Sequence, residues 1–271
     1  MFGLWKKESR WLAILVAAAA MFPVSALAAP MISTIQNPTT VTLSPSAVTL
    51  KDTATLSGFS SPTGTATFML FHSGPVVDTE TITVSGNGTY TTPTGYTLPS
   101  SGTVTGVYEW LANYSGDTNN NASSTALGDE PVVVNPANDT IKTLPSPQTV
   151  TLSGSSVTLK DVAFLDLGYH PTGTVTFTLF LGGSLLDTET VTVSGNGTYT
   201  TPTGYTLPSS GTVTGTYEWL ANYSGDANNN PSATASGDEP VVVGAPVPEP
   251  SCLVLLGTGL LAGIARKSFL R

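Results

Sequence analysis

Val104-Thr105-Gly106-Val107-Tyr108-Glu109-Trp110-Leu111-Ala112-Asn113-Tyr114-Ser115-Gly116-Asp117 returns 109 positions later as Val213-Thr214-Gly215-Thr216-Tyr217-Glu218-Trp219-Leu220-Ala221-Asn222-Tyr223-Ser224-Gly225-Asp226, with one change. Side chains of a strand point alternately to its two faces. Val104, Gly106, Tyr108, Trp110, Ala112 and Tyr114 therefore share one face, and Thr105, Glu109 and Asn113 share the other. An aromatic face at period two reads as a half-buried strand, with Trp110 and Trp219 packed in a core rather than offered to a sugar.

The same offset maps Val48-Thr49-Leu50-Lys51-Asp52 onto Val157-Thr158-Leu159-Lys160-Asp161 and Asp129-Glu130-Pro131 onto Asp238-Glu239-Pro240. Between Asp78 and Asp117 only Ile82/Val191 and Val107/Thr216 differ between the copies. The chain thus holds two copies of one domain, residues 38–134 and 147–243, joined by a polar linker over 135–146. Thr, Val, Tyr and Phe dominate each copy, Gly and Pro punctuate it, and helical periodicity is absent. In the first copy strands are expected at Val41–Leu43, Val48–Leu56, Thr65–Phe71, Val77–Val84, Thr89–Thr92, Val104–Tyr114 and Pro131–Val134. Asn87-Gly88 offers a two-residue hairpin turn, because both residues tolerate positive φ. About seven short strands in roughly 100 residues predict an all-β fold of two tandem immunoglobulin-like sandwiches. Pro62-Thr63-Gly64-Thr65 and Tyr114-Ser115-Gly116-Asp117, with their copies at 171–174 and 223–226, also resemble the strand entry and exit of bacterial Ig-like domains.

The two ends read differently. Lys6, Lys7 and Arg10 precede twelve apolar-rich residues, Trp11–Phe22, and Ala26-Leu27-Ala28 is an A-x-A site. Residues 1–28 are expected to be a secretory signal peptide, cleaved between Ala28 and Ala29. At the other end Val247-Pro248-Glu249-Pro250-Ser251 precedes fourteen apolar-rich residues, Cys252–Ala265, and then Arg266 and Lys267. Basic residues stay on the cytoplasmic side of a membrane. The tail should therefore stop transfer at Arg266 and Lys267 and leave everything before it outside.

This ending resembles the tails of PEP-CTERM proteins, which carry a Pro-Glu-Pro motif, a short apolar helix rich in Leu and Gly, and a terminal basic cluster. The resemblance implies a sorting motif at Pro248, Glu249 and Pro250, a transmembrane segment, and a partner enzyme of the exosortase type that processes the precursor. It also implies a Gram-negative-type envelope, with the mature protein on the cell surface or in an exopolysaccharide matrix. A simple single-pass anchor is the alternative.

Between the signal and the tail stand three Lys, no Arg and sixteen acidic residues, a net charge of −13. Nucleic-acid binding needs cationic side chains against phosphate, so that class is excluded. Cys252 is the only cysteine, so no intrachain disulfide forms and each domain must stand on its apolar core.

Chemistry-bearing residues are sparse. His72 aligns with Leu181 and His170 with Ser61, so neither histidine belongs to the duplicated unit. The duplicated acids Asp52/Asp161, Asp78/Asp187, Glu80/Glu189 and Glu109/Glu218 are not expected to flank a cleft, as a glycosidase requires. No catalytic residue and no cofactor is expected. Asp117 and Asn119, with Asp226 and Asn228, lie in Asn-rich loops whose oxygens suit Ca²⁺. The same residue types favour tight turns, and that reading is preferred. Three function classes remain: a structural or adhesive surface protein, a carbohydrate-binding module using exposed aromatics, and, least favoured, an extracellular enzyme.

Overall fold

The computed structural model describes residues 29–246. The expected signal segment, the Pro248-Glu249-Pro250 motif, the apolar tail, Arg266 and Lys267 lie outside the described residues. Within them every regular element is a strand.

The first unit runs β1 (Met31–Asn37), β2 (Thr40–Thr42), β3 (Thr49–Ser57), β4 (Thr65–His72), β5 (Val76–Thr83), β6 (Gly88–Thr91), β7 (Tyr96–Thr97), β8 (Gly106–Tyr114), β9 (Ser123–Ser124) and β10 (Pro131–Asn135). The second repeats it: β11 (Thr140–Ser146), β12 (Thr149–Thr151), β13 (Thr158–Asp166), β14 (Thr174–Leu181), β15 (Ser184–Thr192), β16 (Gly197–Thr200), β17 (Tyr205–Thr206), β18 (Gly215–Tyr223), β19 (Ser232–Ala233) and β20 (Pro240–Gly244). In the first unit one sheet is ordered β1-β3-β6, with β7 on β3. The other is ordered β2-β10-β8-β4-β5, with β9 on β8. The opening segment thus serves both sheets, and β2 runs parallel to β10 while its neighbours pair antiparallel. This is the immunoglobulin-like arrangement of two packed sheets with crossing connections.

The cores follow the period-two pattern. Leu50, Ala54 and Leu56 on β3 face Phe68, Leu70, Trp110 and Tyr114 from the opposite sheet, all essentially inaccessible. Trp110 and Trp219 are both 0% exposed, so neither ring can stack on a sugar.

Three features depart from the sequence expectation. Residues 140–146 form β11, which pairs along its length with β13 and turns Ile141 and Thr143 inward. The connection between the units is therefore 136–139, not 135–146, and each unit begins a strand earlier than 38 or 147. The strand was obscured by its polar residues and by Pro145, which is tolerated on an edge. Secondly, Asn87-Gly88 is not a hairpin turn, because β5 and β6 lie in opposite sheets. The segment is a crossing, and the Asn87 side chain bridges to Phe59, accepting from its N–H at 3.2 Å and donating to its carbonyl at 2.7 Å. Thirdly, each core holds an acid. Asp52 is 0% exposed, its Oδ1 accepts the Thr53 N–H at 2.7 Å, and its Oδ2 has no protein donor. Burial first, then the nearby Glu130 charge, push Asp52 up to about 7 against the opposing Thr53 N–H. Asp161, near Glu239, repeats this in the second core.

Candidate functional site: the asparagine-rich loops and the junction between repeats

The two motifs that mark each copy are halves of one structure. Gly64 sits at φ +94° so close to the end of β8 that an added Cβ would lie 2.5 Å from Ser115 Oγ and 2.8 Å from the Gly116 carbonyl. Only glycine fits there. Thr63 is thereby brought to Asp117, and its N–H and hydroxyl donate to Oδ2 at 2.7 and 3.1 Å. The Asn119 N–H and the Asn120 amide donate to Oδ1 at 2.8 and 2.9 Å, and the Tyr114 hydroxyl adds a contact at 3.1 Å. The Thr63 and Asn119 N–H groups are the main reason Asp117 is held well below the usual carboxylate range.

Asp226 is built alike, accepting from Thr172, Asn228 and Asn229. Burial pushes it up, but those donors outweigh burial and hold it low. Both oxygens of each aspartate are thus occupied by protein donors, the turn chemistry that the residue types favour. No group of three or more metal-ligating side chains occurs among the described residues.

The second loop does more than turn, because it meets the first sandwich. Asn228 Oδ1 accepts the Val104 N–H at 2.9 Å, and its Nδ2 donates to the Gly102 carbonyl at 2.7 Å. Thr105 donates its hydroxyl to the Ala227 carbonyl at 2.8 Å. The connecting segment is stitched in through Ala137, whose N–H donates to the Asn228 carbonyl at 2.8 Å and whose carbonyl accepts the Asn230 N–H at 2.9 Å. Tyr169 completes the contact. Its ring joins the core of the first sandwich, and its hydroxyl donates toward the Leu98 and Pro99 carbonyls at 3.1 and 2.9 Å. Asn229 holds Tyr169 in place through both backbone groups.

Of the four calcium candidates, Asn119 is exposed at the free loop and Asn228 is engaged in this junction. Asp139, in the connection, was not anticipated. It is 8% exposed with no protein donor to either oxygen, and burial followed by the Asp226 charge push it up to about 7. The signal for the junction lay where the copies disagree: Tyr169 replaces Ser60, His170 replaces Ser61, and Asp139 replaces Pro30.

The other candidate chemistry resolves into support. Glu80 accepts the Thr94 and Gly95 N–H groups at 2.7 and 2.6 Å, and Glu189 does the same for Thr203 and Gly204. Glu109 and Glu218 accept the N–H groups of Gly128 and Gly237. His72 stacks on Tyr108 with ring centroids 4.0 Å apart, and His170 meets Tyr169 edge-on. Among the described residues the only ring in the exposed large apolar side chains is Phe164.

Residues 246–268 match the PEP-CTERM protein-sorting motif. No curated protein is detectably similar to the chain. Among solved structures, the tetra-tandem repeat in the extending region of a large adhesion protein is 19% identical with a TM-score of 0.36, over 75% of this chain and 48% of that one. A 1.5-MDa bacterial ice-binding adhesin is 15% identical with a TM-score of 0.28, over 80% of this chain and 65% of that one. Red sea bream transglutaminase is 13% identical with a TM-score of 0.33, over 79% and 31%. The chain thus spans less than two thirds of each of these structures. The immunoglobulin-like assignment rests on strand order alone. The sorting motif marks the chain as an exported surface protein.

Proposed function

We propose that this chain is a structural or adhesive module of the cell surface or its exopolysaccharide matrix, sorted and processed at its tail by an exosortase-type membrane enzyme. The observation that carries this reading is the position of the sorting motif. The match begins at residue 246, two residues after the last strand ends at Gly244. Nothing but the sorting signal therefore separates the second sandwich from Pro248, Glu249 and Pro250. Proline lacks a backbone donor and restricts the residue before it, which makes Pro-Glu-Pro a chemically distinctive tag. A Pro-Glu-Pro sequence with a charge between two prolines suits recognition by a membrane-embedded enzyme. The stop at Arg266 and Lys267 would hold the precursor with its repeats outside.

The body of the protein suits a spacer. Of its duplicated acids, Glu80/Glu189 and Glu109/Glu218 hold loops, Asp52/Asp161 lie in cores and Asp78/Asp187 stand on an edge strand. Its histidines pack on neighbouring tyrosines, and its junction fixes one sandwich on the next. A non-catalytic role is the simplest account of these uses. The buried tryptophans remove the main support for a carbohydrate-binding module.

The test is the intact mass of surface-released protein from the native host, with and without a functional exosortase. Release without residues 253–271 is expected only when the enzyme is active, and Ala at 248–250 should leave full-length protein in the membrane. Released protein that retains 253–271 would leave a simple anchor as the better reading.

A further inference from the structure

The junction joins unlike surfaces, the loop end of one sandwich and the opposite end of the other, and such a contact repeated between molecules builds open chains or rings rather than a self-paired dimer. The receiving surface exists twice. Leu98–Gly106, which accepts Asn228, Thr105's partner Ala227 and the Tyr169 ring, is identical residue for residue to Leu207–Gly215. In the second sandwich nothing among the described residues covers that surface. Val104 is 1% exposed at the junction, whereas its counterpart Val213 is half-buried. An open recess of about 330 Å³ lies there against Leu207, Pro208 and Val213, the counterpart of the place where Tyr169 sits.

The presenting surface also exists twice. At the free end of the first sandwich Asp117 shapes the same turn, and Asn120 clasps Ser60 through both backbone groups at 2.8 and 3.0 Å, as Asn229 clasps Tyr169. Asn119 stands exposed where Asn228 makes its contacts. One feature is missing, because Ser60 has no ring to fill the recess.

We propose that the Gly211–Thr214 end of one molecule receives the Asp117–Asn120 loop of a second copy, so that the protein associates head to tail. Asn119 takes the place of Asn228, meeting the Val213 N–H and the Gly211 carbonyl. The Thr118 carbonyl takes the place of Ala227 and meets the Thr214 hydroxyl. Without a tether and without the tyrosine, the contact is weak and favours crowded surfaces over dilute solution.

Disulfide trapping in the exported full-length protein, in a Cys252→Ala background, tests this. Thr103→Cys with Ala227→Cys should form an intramolecular bond and so validates the internal template. Thr118→Cys with Thr212→Cys, at opposite ends of the molecule, should give a ladder of linked multimers on a non-reducing gel. Thr118→Cys with Thr79→Cys, which lies on a sheet edge, should not. Adding Ser60→Tyr to the Thr118/Thr212 pair should increase the linked fraction several-fold. A working internal control with no ladder above the Thr79 pair, even with Ser60→Tyr, would overturn the proposal. Failure of the internal pair to close would remove its template and overturn it equally.

Discussion

Raising the pH from 5 to 8 should destabilise both sandwiches, and converting Asp52 and Asp161 to asparagine should remove most of that loss. Each carboxyl is pushed from 3.8 to about 7 in the folded protein, chiefly by burial. Between these values the folded state holds a proton that the unfolded chain has released. Stability must therefore fall as pH rises through this window. Below about 4 both states are protonated and the effect vanishes; above about 7 both are ionised and the full penalty applies. A shift of about three units at about 1.4 kcal/mol each sets a ceiling near 4 kcal/mol per sandwich over the whole window, of which up to about 2.6 kcal/mol falls between pH 5 and 8. That is a large share of the 5–15 kcal/mol typical of a domain. Asp139 at the junction acts in the same direction. Asp117, Asp226 and Glu189 are shifted down, so their contribution is complete by about pH 5 and does not mask the trend. Asparagine retains an oxygen for the Thr53 or Val162 N–H while carrying no charge. With asparagine standing for the protonated acid, each sandwich of the D52N/D161N protein should exceed wild type by about 1.6 kcal/mol at pH 5 and by about 4 kcal/mol at pH 8. Urea unfolding at pH 5, 6, 7 and 8, followed by tryptophan fluorescence, measures this. A wild-type stability that is flat or rises from pH 5 to 8 would refute the buried-acid account.

The remaining predictions are simpler. Trp219→Ala should cost about 3–5 kcal/mol in urea unfolding, because the ring is fully enclosed. Asp226→Ala should destabilise the second sandwich by about 1–3 kcal/mol, since the Thr172 and Asn228 N–H groups lose their acceptor. Millimolar Ca²⁺ should leave the melting temperature unchanged apart from salt effects that Mg²⁺ reproduces; a rise specific to Ca²⁺ that Asp226→Ala abolishes would make the loop a metal site. Tyr169→Ser, which copies the first repeat, should widen the distribution of molecular dimensions in small-angle scattering, and Tyr169→Phe should do so less, because it keeps the packed ring.

The sandwich was legible in the sequence because its information is periodic. Tyr108, Trp110, Ala112 and Tyr114 sit two apart and all turn inward. Repetition made that pattern hard to mistake. The first strand of each unit escaped because its inward positions are mixed, Ile32 with Thr34 and Ile141 with Thr143, and its outward positions include Ile35 and Leu144. A strand that pairs on one side only and carries apolar residues outward lacks the alternation by which strands are read. The Asn87-Gly88 crossing escaped for a different reason. Residues tolerant of positive φ mark a turn of the chain, and whether that turn joins neighbouring strands or opposite sheets depends on partners far away in sequence.

The junction escaped because repetition was read for what it keeps. Two copies under the same folding requirement retain Gly64, Asp117 and Trp110 in common, so their shared residues report on the sandwich. A contact between the copies asks different things of each, and it can be written only in their differences. Ser60 and Tyr169 occupy equivalent positions, yet one borders solvent and the other enters the core of its neighbour. Pro30 and Asp139 are likewise equivalent, but only Asp139 carries a carboxyl that feels the neighbouring loop carboxylate, that of Asp226. Asn119 and Asn228 carry the same residue and differ only in what faces them. In a tandem repeat protein the conserved loop can therefore be neutral as to function, while the substitutions around it decide whether it is a turn, a clasp or an open end.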